Sequence, residues 1–152
     1  MEAKKKTTSD KYDALRLDHQ LCFPLYACAK EIVRRYKKPL DAIDLTYTQY
    51  IVMMVVWEEK EVSVRELGKR LFLDSGTLTP VLKTLERKGF ITRTRSEADE
   101  RVLLITLTKE GRRLQDRALS VPAEVGSCLN LDAQEVKTLY GLLYKLLANM
   151  EE

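Results

Sequence analysis

Apolar and polar positions alternate along this chain in a rhythm that is mostly helical. Residues 1–11 are polar. Leu17, Leu21, Leu25, Ala29 and Ile32 then recur at spacings of three and four, which puts them on one face of a helix predicted over 13–37. Pro24 falls inside it and is expected to kink it or to end a first short piece. Pro39 opens a connector, and Thr46-Tyr47-Thr48 leads into a buried helix over about 48–59.

Ser63-Val64-Arg65-Glu66 has the pattern of a capping box and starts a short helix to about Leu71. Residues 72–74 form a tight turn. Ser75 or a close neighbour caps the next helix, which runs to about Lys88 and stops at Gly89. Pro80 is placed near its first turn, where a missing N–H does least harm. Two strand-like stretches, 90–96 and 102–108, follow, joined by the charged tip Glu97-Ala98-Asp99-Glu100. Thr108 caps a helix over roughly 109–120, with Pro122 beyond it. Asp132-Ala133-Gln134-Glu135 starts a last helix to about Met150, on which Val136, Leu139, Leu143, Leu146 and Met150 form an apolar stripe.

Helix, short turn, helix, β-hairpin is the order of a winged helix-turn-helix. The expected fold class is therefore mostly α with a small β-hairpin wing. The winged helix-turn-helix spans about 61–108 of a single domain over 1–152. The helices over about 12–59 and 109–150 form a dimerisation region drawn from both termini.

Composition narrows this further. Of 152 residues, 45% are apolar and 32% charged, as in a globular helical domain. The longest apolar run, 51–57, is too short to span a bilayer. Lys4-Lys5-Lys6 is followed by Thr, Ser and Asp where a signal peptide needs an apolar stretch. A cytoplasmic protein is expected, with no membrane association. Three irregularly spaced cysteines argue against a disulfide scaffold. The net charge is only +3, yet residues 65–113 hold 12 Lys+Arg against 7 Asp+Glu, whereas residues 114–152 hold 3 against 6. A polyanion would bind the middle of the chain.

Within the helix at 75–88, Leu78, Leu82 and Leu85 share one face, and Gly76, Thr77, Pro80, Lys83, Thr84 and Arg87 lie opposite. The outer face is small and polar at its start, where Ser75, Thr77, Thr79 and Pro80 could meet base edges and thymine methyls. Further on, Lys83 and Arg87 could meet phosphates. Arg93 and Arg95 share a strand face. Arg101 follows the hairpin tip with Asp99 two residues before it; a carboxylate there can hold the guanidinium for a narrow minor groove.

Leu73-Asp74-Ser75-Gly76-Thr77-Leu78-Thr79-Pro80, Leu82-Lys83-Thr84-Leu85-Glu86 and Asp99-Glu100-Arg101 together resemble the MarR family. With Gln20-Leu21-Cys22-Phe23 and Leu45-Thr46-Tyr47 the chain is similar to its OhrR branch, the organic-hydroperoxide-responsive repressors. The resemblance covers about residues 15–115. It implies a homodimer of winged helices on a palindromic double-stranded operator, with an organic hydroperoxide as the signal and no cofactor.

Cys22 is the candidate sensor. A regulatory thiol must ionise and then form a sulfenic acid, and nearby donors favour the thiolate. Tyr26, Tyr36 and Tyr47 are the candidate donors. Tyr26 can share a helix face with Cys22, but Tyr36 lies about 21 Å away along a continuous helix. It could reach the thiol only from a partner chain. Read from the residues alone, all three are better taken as core or interface tyrosines. The resemblance matches Tyr36 and Tyr47 to the family's tyrosines that hydrogen-bond the sensing thiol across the dimer. Cys28 lies about 240° around the helix from Cys22 and reads as a small core residue. Cys128 sits in the loop-like Gly126-Ser127-Cys128-Leu129-Asn130. The resemblance implies two classes: one bridges the sensing cysteine to a second, C-terminal cysteine of the partner, and Cys128 suggests that class. The other class relies on a small thiol.

His19 and Cys22 could begin a metal site, but Cys28 is on another face and the chain has no second histidine. No phosphate loop, carboxylate pair or Ser-His-Asp set is present. Three alternatives stand beside a peroxide-responsive repressor: a MarR-type repressor gated by a phenolic ligand, a thiol-peroxidase-like cysteine enzyme, and an architectural protein that binds DNA without sequence preference.

Overall fold

The structure is a computed structural model that describes residues 11–127 and 129–150. The chain divides into two compact units, Met1–Leu119 and Ser120–Glu152.

The first unit is built around α2 (Tyr47–Glu59), whose Val52, Met53 and Val56 are completely buried, with Tyr50, Val55 and Trp57 nearly so. Burial on several sides at once marks a central helix. Thr46 caps it in a reciprocal box: Thr46 Oγ1 accepts from the Gln49 N–H, and Gln49 Oε1 accepts from the Thr46 N–H. Against α2 pack α1 (Cys22–Asp41), α3 (Val64–Leu71), α4 (Ser75–Arg87) and α5 (Lys109–Ala118). Trp57 Nε1 donates to the Gly111 carbonyl at 2.8 Å, a buried bond that fastens α2 to α5. Three strands, β1 (Glu61–Ser63), β2 (Ile91–Arg95) and β3 (Leu103–Leu107), form an antiparallel sheet in the order β1-β3-β2. Val62 and Arg93 both pair with Ile105, which is fully buried.

The mostly helical fold with a β-hairpin wing stands as expected, but several boundaries move. Residues 13–21 are not continuous with the first helix: they form two 3-10 turns, Asp13–Leu15 and Leu17–His19. Pro24 sits in the first turn of α1, where the N–H groups have no helical acceptor, so it neither kinks nor ends the helix. Pro39 does not open a connector. It lies inside the last turn of α1, where only one bond is lost and Leu40, 1% exposed, anchors the helix end. The cap of α4 is Asp74, the close neighbour of Ser75, which accepts from the Thr77 N–H at 2.7 Å. Pro80 accordingly falls in the second turn, where it costs the Gly76 carbonyl its partner. Strand β1 is an addition to the expected hairpin.

The second unit holds α6 (Val121–Gly126), which takes in the Pro122 expected to lie beyond the preceding helix, and α7 (Ala133–Ala148). Proline at the second position of α6 is compatible with a helix start. Asp132 caps α7 with a full capping box to Glu135. No residue of α7 is buried, and Tyr140, Leu142 and Tyr144 are more than half exposed.

Candidate DNA-reading surface and thiol

Gly68 closes the turn between α3 and α4, since a Cβ there would lie 2.7 Å from the Leu73 carbonyl oxygen. Phe72 takes a left-handed conformation (φ 53°) to reverse the chain. At the other end of α4, Gly89 does so at φ 78°. Between them Leu78, Leu82 and Leu85 are buried, and Ser75, Gly76, Thr77, Thr79, Pro80, Lys83 and Arg87 are exposed together on the outer face.

The threonines of that face are already committed as donors. Thr77 Oγ1 donates to Asp74 Oδ2 (3.1 Å), Thr79 Oγ1 to the Ser75 carbonyl (2.6 Å) and Thr84 Oγ1 to the Pro80 carbonyl (3.0 Å). Each hydroxyl therefore keeps only acceptor capacity, so the face offers methyl groups and acceptors near the helix start. These suit thymine methyls and exocyclic amino donors in a major groove. The Thr77 bonds also hold the Asp74 carboxyl below its usual range, so it stays an ionised cap.

The wing arginines are in three different states. Arg93 is braced against α4. Its N–H donates to Glu86 Oε1 (3.1 Å), and its guanidinium holds Oε2 through Nε (2.8 Å) and Nη2 (2.6 Å). Hydrogen bonding from Arg93 pulls the Glu86 carboxyl down. Arg95 Nη1 donates to the Glu100 carbonyl at 2.6 Å, tying the two sides of the wing tip. Arg101 is 90% exposed and clamped by Asp99, whose Oδ1 takes both its N–H and Nε at 3.0 Å and whose Oδ2 takes Nη2 at 3.1 Å. The clamp lowers the Asp99 carboxyl. Glu86 was not among the expected site residues. Its partner is seven positions away across a turn, and no local pattern marks it.

Arg101→Ala is expected to weaken operator binding by about tenfold and to reduce the salt slope by about one. Fluorescence anisotropy across a salt series reads both. Unchanged affinity and slope would place the wing tip outside the DNA.

Cys22 is exposed as the first residue of α1, and Tyr26, one turn on, is exposed beneath the Lys30 ammonium, 6.0 Å from its ring centre. Cys28 is exposed as well, not part of the core. Tyr36 and Tyr47 meet, with ring centres 4.9 Å apart, and Tyr50 adds a third ring 5.9 Å from Tyr36. Burial pushes all three phenols above their ordinary range, so they remain protonated donors. Tyr47 also lines an open cleft of about 340 Å³ with Val33, Lys37 and Leu45. Because α1 is continuous from Cys22 to Asp41, one chain brings Tyr36 and Tyr47 together but keeps Tyr36 about 21 Å from Cys22. Cys128 lies outside the described residues. Among the described residues no cluster of His, Cys, Asp and Glu could hold a metal, and no helix is long and apolar enough to cross a membrane.

Comparison with known proteins decides the class. The family described as transcriptional regulator SarA/Rot matches residues 34–118. The organic hydroperoxide resistance transcriptional regulator of Bacillus subtilis is 41% identical over 143 residues, 94% of this chain and 97% of that protein. The chain belongs to the MarR/SarA group of winged-helix transcriptional regulators. Reduced AbfR of Staphylococcus epidermidis bound to DNA superposes with a TM-score of 0.75 at 36% identity, covering 92% of this chain and 97% of AbfR. The disulfide form of AbfR gives 0.64 at 35% identity, covering 93% and 97%. A cysteine-to-serine mutant of Escherichia coli MarR on operator DNA gives 0.79 at 29% identity, covering 91% and 99%. These relatives are regulators and not enzymes, which sets aside the thiol-peroxidase reading.

Proposed function

We propose that this regulator is a homodimeric repressor that holds a palindromic operator while reduced and releases it when an organic hydroperoxide oxidises Cys22. The observation that carries this reading is an exposed thiol at the head of α1 in a chain so similar, end to end, to a hydroperoxide-resistance regulator.

Exposed apolar surface at both ends of the chain supports the dimer. Leu15, Leu17 and Leu21 before α1, and Leu139, Leu142 and Tyr144 on α7, are each at least 45% exposed. Patches of this kind mark interfaces. An antiparallel partner would bring the Leu21-Cys22-Phe23 segment to the partner's Tyr36 and the partner's Tyr47, whose protonated hydroxyls would donate to the thiolate. The two recognition helices would then read half-sites about 10 base pairs apart.

In the sensing step the Cys22 thiolate attacks one peroxide oxygen. An S–O bond forms, the O–O bond breaks, and the alkoxide leaves as an alcohol after taking a proton. The sulfenic acid then condenses with a second thiol and loses water. Cys128 of the partner subunit is the candidate within the protein; a small cytoplasmic thiol is the other.

The test uses a duplex selected by the reduced protein from random sequence. Stoichiometric cumene hydroperoxide is expected to release it and dithiothreitol to restore binding. Binding that survives the peroxide would overturn the redox reading, and release only by added phenolic ligands would replace it with ligand gating.

A further inference from the structure

Residues 42–46, which join α1 to α2, are gripped from two sides. From the C-terminal end of α4 the Lys88 ammonium donates to the Asp44 carbonyl and lies 3.1 Å from the Asp44 carboxylate and 3.4 Å from Gln49 Oε1. From α5, Arg117 donates to the Ala42 carbonyl at 2.8 Å. Asp44 sits in the left-handed region (φ 56°), and Gln49 is buried. The Gln49 oxygen that faces Lys88 is the same one that caps α2 through the Thr46 N–H. Tyr47, the first residue of α2, packs on Tyr36.

Lys88 thus differs from the other basic residues of the DNA-reading helix. Lys83 and Arg87 are exposed, whereas the Lys88 side chain is only 22% exposed and its donors point back into the protein. A lysine spent this way is poorly placed to neutralise a phosphate. We propose that Lys88 is a positioning residue for operator reading: it fixes the end of α4 against the α1–α2 turn, and so sets how the reading face of α4 meets base edges. This inference holds whether or not Cys22 is the sensor.

A phosphate contact and a positioning contact separate cleanly in binding data. Losing a phosphate contact weakens selected and scrambled duplexes alike and lowers the salt slope by about one. Losing a positioning contact lowers specificity and leaves the slope alone. For reduced Lys88→Met we expect about tenfold weaker binding to a duplex selected by wild type, less than about twofold change on a scrambled duplex, and an unchanged salt slope. Lys88→Arg, which keeps donors for the Asp44 and Gln49 oxygens, is expected to recover most of the loss. Equal losses on both duplexes with a shallower slope would overturn the proposal in favour of a phosphate contact, and no loss on either would overturn it outright. If Lys88→Met does not fold, Asp44→Asn serves. It keeps the carbonyl and tolerates the left-handed backbone but removes the carboxylate. It should cost about threefold on the selected duplex only, and no change there would overturn the proposal.

Discussion

Serine at position 22 is expected to leave operator affinity within about twofold of wild type and to abolish release by organic hydroperoxide. The first half follows from location. Cys22 is exposed at the head of α1, so its replacement opens no cavity, and it contributes nothing to the faces of α4 or the wing. The second half follows from chemistry. A serine hydroxyl does not ionise near neutral pH and cannot pass through a sulfenic acid. Cys28→Ser is the matched control: it is exposed on the same helix about 240° around from Cys22, and its response should be that of wild type. Anisotropy of a bound duplex before and after cumene hydroperoxide reads all three proteins. Release of the Cys22→Ser protein at the wild-type dose would move the sensor to another residue. Tyr36→Phe and Tyr47→Phe should slow the response without abolishing it. Each removes one phenol that its surroundings keep protonated.

Much of this surface is legible in the order of residues because the forces that make it are local. The helix starts at Tyr47, Val64, Lys109 and Ala133 each follow a Thr, Ser or Asp whose oxygen accepts a backbone N–H, and those oxygens act within a few residues. Leu78, Leu82 and Leu85 recur at helical spacing and are buried together. The Asp99–Arg101 clamp spans two residues. Expectation fails where a position inside an element decides the outcome. Pro24 and Pro39 read as breaks until the helix limits are known, and then one sits where no bond is due and the other where only one is lost. Three-residue β1 has too few residues to show alternation and exists only because β3 offers an edge to it. The Lys88 junction spans 44 residues of sequence, and the Trp57–Gly111 bond spans 54. No local pattern can announce either. The gap between Cys22 and Tyr36 is a further kind of limit, since a single chain holds them apart and only a second copy could close it.

Gly111→Ala should cost the fold about 3 kcal/mol, the upper end of the range for overpacking. A Cβ at this position would lie 2.1 Å from the Phe90 carbonyl oxygen and 2.8 Å from Leu107 Cδ1. The leucine tip can turn aside, but the carbonyl cannot. It accepts from both the Thr108 N–H (3.2 Å) and Thr108 Oγ1 (3.0 Å), and so fixes the entry of β2 to the cap of α5. Gly111 is pinned in its own right, because its N–H donates to Thr108 Oγ1 at 2.9 Å and its carbonyl receives Trp57 Nε1. Relief would therefore require α5 to back away from the hairpin, which strains the cap and the buried indole bond together. Gly141→Ala is the contrast. It lies in α7, where a Cβ would meet nothing within 4 Å, and should gain about 0.5–1 kcal/mol from helix propensity alone. Thermal unfolding followed by circular dichroism at one fixed protomer concentration should show Gly111→Ala melting about 6–12 °C below wild type and Gly141→Ala a few degrees above it. A Gly111→Ala protein that melts within about 2 °C of wild type would mean that α5 does not approach the hairpin this closely.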